Sequence, residues 1–442
     1  MAEARAFPFI KYAPDVVGDP GRLLAPPYDV VSKEQRDAIA AAGEYQSMRL
    51  EVPEDGQAAT AGRLLREWLE SGALEAGEVG VAVVSQRFVG PDGVRRERLA
   101  VACEVGLAPF GSGEVLPHER TFDAPRKART ELMRGTGANI SPVFLAYHDP
   151  ARSLVDLFAS VTDEEPDVCG VDADGTQTAI WFVTDVSLTD AFTAAVADHP
   201  LLIADGHHRY TAALEYQAEV AAGSPNLVVA GGTDHVGPPH TSSSWHDGVL
   251  AMVANSADPG IVVFPTHRIV RGADAARLDR FIVEAGAFGV EEFATLDDAT
   301  AALDALEVPG FVVMGAGRPI RLLSVPDELD MQLAAPDSCE AARRLDVLAL
   351  HALVIDGGAV LADHWGQHGG VSYTRVLAEA VAAVEADATG TLAFVMREID
   401  PMQIHEVAEA GELLPQKSTY YYPKVPTGVV FRAVDPALLG LG

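Results

Sequence analysis

The sequence predicts an α/β chain of mixed α+β character, with a mixed sheet at its core. Three observations predict it. The pattern predicts a hairpin in the first quarter, a strand-then-helix alternation begins near Pro142, and 48% of the residues are apolar. Hairpins exclude a purely parallel sheet, strand–helix alternation excludes an all-β fold, and that apolar share can fill large cores. At 442 residues the length suits two or three domains.

Taken in order, the chain opens extended through Leu23-Leu24-Ala25-Pro26-Pro27-Tyr28-Asp29, where two prolines disfavour helix. Ser32-Lys33-Glu34-Gln35 has the capping-box spacing, so a helix begins near Lys33 and Asp29 sits just before it. Leu64, Leu65, Trp68 and Leu69 recur at helical spacing over 59–71. Residues 79–89 and 94–107 read as strands joined around Pro91-Asp92-Gly93. Then follow a strand at 143–147, a helix at 151–160, a strand at 179–184, a helix at 189–197, a strand at 201–204 and a helix at 207–222. Neighbouring strands are expected at 249–254 and 261–264, a helix at 273–284, further alternation to about 387, and a closing strand at 390–396. The regions expected are 1–145, α+β with the Pro-Pro-Tyr-Asp loop and a basic helix, and 146–270, a core α/β region. A C-terminal α/β region at 271–400 follows, and 401–442 returns to the core.

Composition narrows the function. The formal charge is −32, from 32 basic and 64 acidic side chains. Duplex binding needs clustered cations to displace counterions, so direct DNA contact is not expected. Cys103, Cys169 and Cys339 are too scattered for a disulfide framework or a thiolate metal site. No secretory leader and no bilayer-length apolar run is visible, so a cytoplasmic protein without membrane contact is expected. Phosphate-loop, dinucleotide-fingerprint, serine-elbow and HExxH motifs are not found.

The sharpest chemical signal is Leu201-Leu202-Ile203-Ala204-Asp205-Gly206-His207-His208-Arg209-Tyr210. An apolar strand ends at Asp205, Gly206 permits a sharp turn, and a helix begins at once. A helix N-terminus concentrates outward N–H groups and positive potential, a ready anion site. Arg209 can grip a phosphate through two parallel bonds. His207 and His208 can act as acid, base or ligand, and Asp205 can accept a hydroxyl proton or hold Mg²⁺. The bland alternative has the histidines capping the helix while Arg209 pairs with an acidic neighbour.

A second segment, Leu116 to Arg134, holds five of the 32 basic residues and includes His118, Arg126, Lys127 and Arg129. Pro125 suits the first position of a helix. Basic side chains in its first turns oppose the helix dipole, a cost that an acidic ligand or neighbouring carboxylates relieve. A third segment, 414–428, carries Lys417 and Lys424, two of only five lysines, with Ser418, Thr419 and three consecutive tyrosines. It suits either phosphate contact or a docking strand packed by its rings. Weaker signals are Pro265-Thr266-His267-Arg268, where a lone His is more often structural, and His235, His240 and His246, which lack metal-ligand spacing.

These blocks together resemble a bacterial and archaeal family catalogued as a domain of unknown function, number ten-fifteen. They are Ala25-Pro26-Pro27-Tyr28-Asp29-Val30, Leu116-Pro117-His118-Glu119, Ala204 to Tyr210, Pro265 to Arg268, and Lys417-Ser418-Thr419-Tyr420 through Lys424. The resemblance runs from about residue 8 to 431. The chain departs from it at Glu44-Tyr45-Gln46-Ser47, where an Asn-Pro-Tyr-like block is usual, and at Met396-Arg397-Glu398. The Asp-Gly-His-His-Arg core is also similar to the strand–turn–helix of the ParB/sulfiredoxin superfamily, which includes free-serine kinases. That similarity implies a phosphate and Mg²⁺ site at Asp205–Arg209 and ATP or ADP as cofactor, with Asp29 as base.

The expected function is a small-molecule phosphotransferase acting on a phosphorylated substrate or nucleotide. Asp205, His207, His208 and Asp29 are its expected catalytic groups. Gly206, Arg209, His118, Arg126, Lys127, Lys417, Ser418 and Thr419 are its expected phosphate contacts. The alternatives are a metal-assisted phosphoester hydrolase and a non-catalytic nucleotide-binding or ParB-like regulator.

Overall fold

The computed structural model describes residues 3–90, 93–223, 245–286, 288–326, 328–356, 370–387, 390–415 and 417–441. Pro91 and Asp92 of the expected hairpin turn, and His235 and His240, lie outside the described residues. The chain forms two compact units, one of Met1–Pro117, Thr121–Val262 and Pro423–Gly442, the other of His118–Arg120 and Val263–Tyr422. Each is an assembly of helices on a sheet, and the fold is mixed α/β.

The first unit is built on a sheet of twelve strands among the described residues. Its path runs Val115–Leu116, Leu201–Asp205, Val143–Tyr147, Gly248–Asn255, Arg95–Gly106, Leu74–Val89, Phe7–Tyr12, Phe431–Ala433 and Ala138–Asn139. Two pairings are parallel, Leu201 with Val115 and the strand from Gly248 with that from Val143, and the remaining pairings on this path are antiparallel. The expected hairpin is present, but its first strand begins at Leu74, ahead of the apolar run. Glu75 and Glu78 extend it because both reach Lys11 of the adjoining strand, at 3.4 and 2.7 Å. Gly77, at φ 112°, takes up the accompanying irregularity.

One face of this sheet holds Val81, Val83, Val101, Cys103, Leu145, Tyr147 and Ile203, all buried against Phe158, Phe192, Tyr210 and Tyr216. Alternate residues on one strand share a face, so the valines of the hairpin sort themselves by parity. The expected helix at 151–160 is two short ones, Ser153–Leu157 and Ala159–Thr162. Phe158 sits fully buried at their join. The capping box is formed as its spacing predicts: Ser32 Oγ accepts from Gln35 N, and Gln35 Oε1 accepts from Ser32 N.

The second unit carries a six-stranded antiparallel sheet, Gly289–Phe293, Ile320–Ser324, Gly310–Gly315, Thr391–Val395, His267–Arg271 and Val371–Thr374. Its central strands, Gly310–Gly315 and Thr391–Val395, are buried on both faces. Phe311, Val313 and Phe394 pack with Leu278 and Ile282 on one side; Val312, Met314 and Val395 pack with Ala299, Leu303 and Ala380 on the other. Continuous apolar runs, rather than alternation, follow from that double cover.

Candidate phosphate site

The strand Leu201–Asp205 delivers Asp205 at its carboxyl end, and Gly206 turns the chain into the helix His207–Ala221. Gly206 takes φ 94°, a left-handed conformation. A Cβ there would lie 2.9 Å from Arg209 Nε, so a larger residue would strain the turn and displace the buried guanidinium. Tyr210 anchors the first turn from inside: its hydroxyl accepts from Ala108 N and donates to Ala108 O, both at 2.9 Å.

Asp205 is the hub. Its Oδ1 accepts from Gly206 N at 3.0 Å, while Oδ2 meets Lys424 Nζ at 3.2 Å and Arg209 Nη2 at 3.5 Å. Lys424 reaches it from 219 residues along the chain. Its backbone is held in turn: Lys424 O accepts from Gln86 Nε2 at 3.1 Å, and Gln86 Oε1 accepts from the Arg98 guanidinium. Arg98 is fully buried against the Phe144 ring, and burial lowers its pKa to about 9.

Two further segments meet this turn. Arg209 is buried and its guanidinium donates to Pro142 O. Burial acts to lower its pKa, but Asp205, then Asp29, Glu51 and Tyr28 outweigh that and raise it. Asp29, itself exposed, therefore lies within electrostatic reach of the helix start. Tyr28 presents its ring to Arg129 at 3.9 Å, and Arg129 pairs with Glu51 at 2.9 Å. The Pro-Pro-Tyr-Asp loop and the Asp-Gly-His-His-Arg turn thus share one charged cluster.

The two histidines differ. His207 is buried, whereas the half-buried His208 accepts the Phe122 N–H on Nε2 at 2.9 Å and stacks on the Phe122 ring. An acceptor Nε2 leaves the ring proton on Nδ1. His208 in this way caps the helix Asp123–Thr136, which starts two residues before Pro125. Pro125 still falls in the first turn, where no intrahelical N–H is needed. Along that helix the expected cost of basic residues is met by carboxylates. Arg126 pairs with Asp123 and Glu215 at 2.8 Å each, and Arg134 with Glu219 at 2.7 Å. Lys127 is exposed.

His118, Lys417, Ser418 and Thr419 lie in the second unit. His118 is fully buried, its Nε2 2.8 Å from Thr419 Oγ1. Lys417 is exposed at φ 56°, its carbonyl accepting from Arg268 Nη2 at 3.4 Å. Ser418 is buried and donates to Pro415 O, while Gln416 lies outside the described residues. The ammonium that the structure brings to Asp205 is therefore Lys424, not Lys417. Its rarity among five lysines was the available signal. Glu51, Gln86 and Arg98 carried none: Glu51 ends the short helix Met48–Glu51, and the other two lie within ordinary strands.

Mg²⁺ does not fit Asp205 as arranged here. The cation wants an oxygen-rich shell, and Oδ2 already faces two cations. Among the described residues no group of three or more His, Cys, Asp or Glu could hold a metal. The second unit contains a cavity of about 640 Å³ lined by Arg343, Asp346, Arg397 and Asp400 among others, and none of the expected catalytic or phosphate-contact residues is in its lining.

Residues 5–348 match the model of a family described as "Protein of unknown function (DUF1015)". No curated protein matches. Solved structures with some likeness include a conserved hypothetical protein from Pyrococcus furiosus, at 14% identity and TM-score 0.34, covering 71% of this chain and 90% of that one. A free serine kinase variant in complex with ADP gives 12% identity and TM-score 0.34, covering 72% and 89%. SbnI with a C-terminal truncation, from Staphylococcus aureus, gives 9% and 0.31, covering 71% and 82%.

Proposed function

The chain belongs to the DUF1015 family, and for it we propose a small-molecule phosphotransferase that seats a phosphate group at the Asp205–Arg209 turn. The observation that carries this reading is the approach of Lys424 to Asp205 at 3.2 Å beside the start of a 15-residue helix. A helix N-terminus repels cations. Two cations, Lys424 and Arg209, nevertheless converge there on one shared carboxylate oxygen. A phosphoryl group supplies the anionic oxygens that both cations and the helix end favour.

In this reading Lys424, Arg209 and the first-turn backbone, with His207 and His208, cradle the transferred group. An acceptor hydroxyl attacks phosphorus, the bond to the nucleotide leaving oxygen breaks, and the hydroxyl proton passes to a carboxylate. Asp29 is the proposed base: it is exposed, and it shares the cluster around Arg209. Asp205 is kept as the organiser of the two cations. L-serine is the first acceptor to test, because the motif is similar to that of free-serine kinases, with ATP or ADP as donor.

Phosphorus NMR of the protein with Mg²⁺, L-serine and ATP or ADP tests the reading, with O-phospho-L-serine alone as a second sample. Nucleotide-dependent phosphoserine is expected, with D205N and D29N each slowing it by about a hundredfold or more. Phosphate released from phosphoserine alone would favour hydrolysis. An unchanged rate in D205N would overturn the site.

A further inference from the structure

Glu51 is a carboxylate that the proposed chemistry does not use, and it is almost fully buried, at 1% exposure. Its Oε1 accepts from Arg129 Nη1 and from Ser141 Oγ, each at 2.9 Å. Among the described residues its Oε2 has no hydrogen-bond partner, and neither does Arg209 Nη2. Both residues line one cavity of about 30 Å³, together with Arg129, Asn139 and Ser141. Burying an acceptor without a donor is costly, and Arg209 Nη2 has only its 3.5 Å ion pair with Asp205 rather than a hydrogen bond. A polar cavity that size accommodates a water able to bridge them.

We propose that Glu51 is the positioning residue of the phosphate site, holding Arg129 directly and Arg209 through one buried water. Resting on the phosphate reading for its purpose, this assigns one buried charge to both halves of the cluster. Arg129 fixes the Tyr28 ring at 3.9 Å and with it the loop that carries Asp29. Arg209 lies 3.5 Å from Asp205 and fills the space beneath Gly206. A carboxylate suits that position because Arg129 has its ion pair there and Arg209, already 3.5 Å from Asp205, gains a second negative neighbour in a largely buried setting. Glu51 touches neither phosphate nor acceptor in this arrangement, so its action passes through the two arginines.

The test uses full-length protein labelled with ¹⁵N-arginine, with the Nε–Hε resonances assigned through R129K and R209K. In E51Q the Arg209 resonance is expected to shift and its hydrogen exchange to quicken about tenfold, although Arg209 makes no direct bond to Glu51. An Arg209 resonance unmoved in E51Q, while that of Arg129 moves, overturns the proposal. Should E51Q not fold, the wild type decides: an NOE from a long-lived water to the Arg209 guanidinium supports the bridge, and its absence overturns it. Inorganic phosphate titrated into the wild type is the separate arm for the function. If it leaves Arg209 unperturbed the phosphate reading fails, while the ligand-free coupling in E51Q still supports the role of Glu51.

Discussion

At the scale of single residues, burial decides which titratable groups serve structure. His267 is an example: it is 3% exposed and its Nδ1 accepts the Met396 N–H at 3.2 Å. Burial, then Arg268, lowers its pKa from 6.5 to about 4. The folded state therefore binds fewer protons than the unfolded one between those values. Its contribution is complete above pH 6.5 and is lost as pH falls towards 4. A shift of this size corresponds to roughly 3 kcal/mol. Urea unfolding at about pH 7 and about pH 4.5 should show this acid loss in the wild type and a smaller one in H267Q. Equal losses in the two proteins would place the acid sensitivity elsewhere. The same physics separates Arg268, buried and spent on the Thr266 and Lys417 carbonyls, from the exposed Lys127.

At the scale of elements, the helices Asp123–Thr136 and His207–Ala221 lie together with a basic face against an acidic one. Arg126 meets Glu215, Thr130 Oγ1 donates to Glu215 at 3.0 Å, and Arg134 meets both oxygens of Glu219. A ligand or neighbouring carboxylates could each relieve the basic turn, and Arg126 and Arg134 have the carboxylates. These pairs are a quarter to a third exposed, so solvent screens them. A double-mutant cycle on Arg126 and Glu215 should return a coupling below about 1 kcal/mol that shrinks further in salt. A value above about 2 kcal/mol would mean that ion pairing, rather than the apolar contacts of Met133, Tyr210 and Ala213, holds the helices in place.

For the whole molecule, the governing quantity is the net charge of −32. Self-repulsion on that scale destabilises compact states and is weakened when the Debye length shortens. Raising NaCl from about 0.01 M to about 0.3 M should therefore raise the melting temperature by a few degrees. A fall over that range would show that local ion pairs outweigh the global repulsion. No helix among the described residues is long and apolar enough to cross a membrane.

The sequence by itself determined what depends on a few neighbouring residues. The capping box at Ser32, the helix over Ala58–Glu70 and the strand Val143–Tyr147 are local consequences of side-chain period and capping chemistry. So is the strand–Gly206–helix turn, since glycine meets both the backbone angle and the closeness of Arg209 without strain. The tertiary structure alone decided which charges meet. That Lys424 rather than Lys417 reaches Asp205, that Glu215 and Glu219 face the basic helix, and that Glu51 is enclosed with Arg129 all depend on chain return over long separations. A sequence displays the sign of each charge but not its distance or its solvent. Electrostatic energy depends on both.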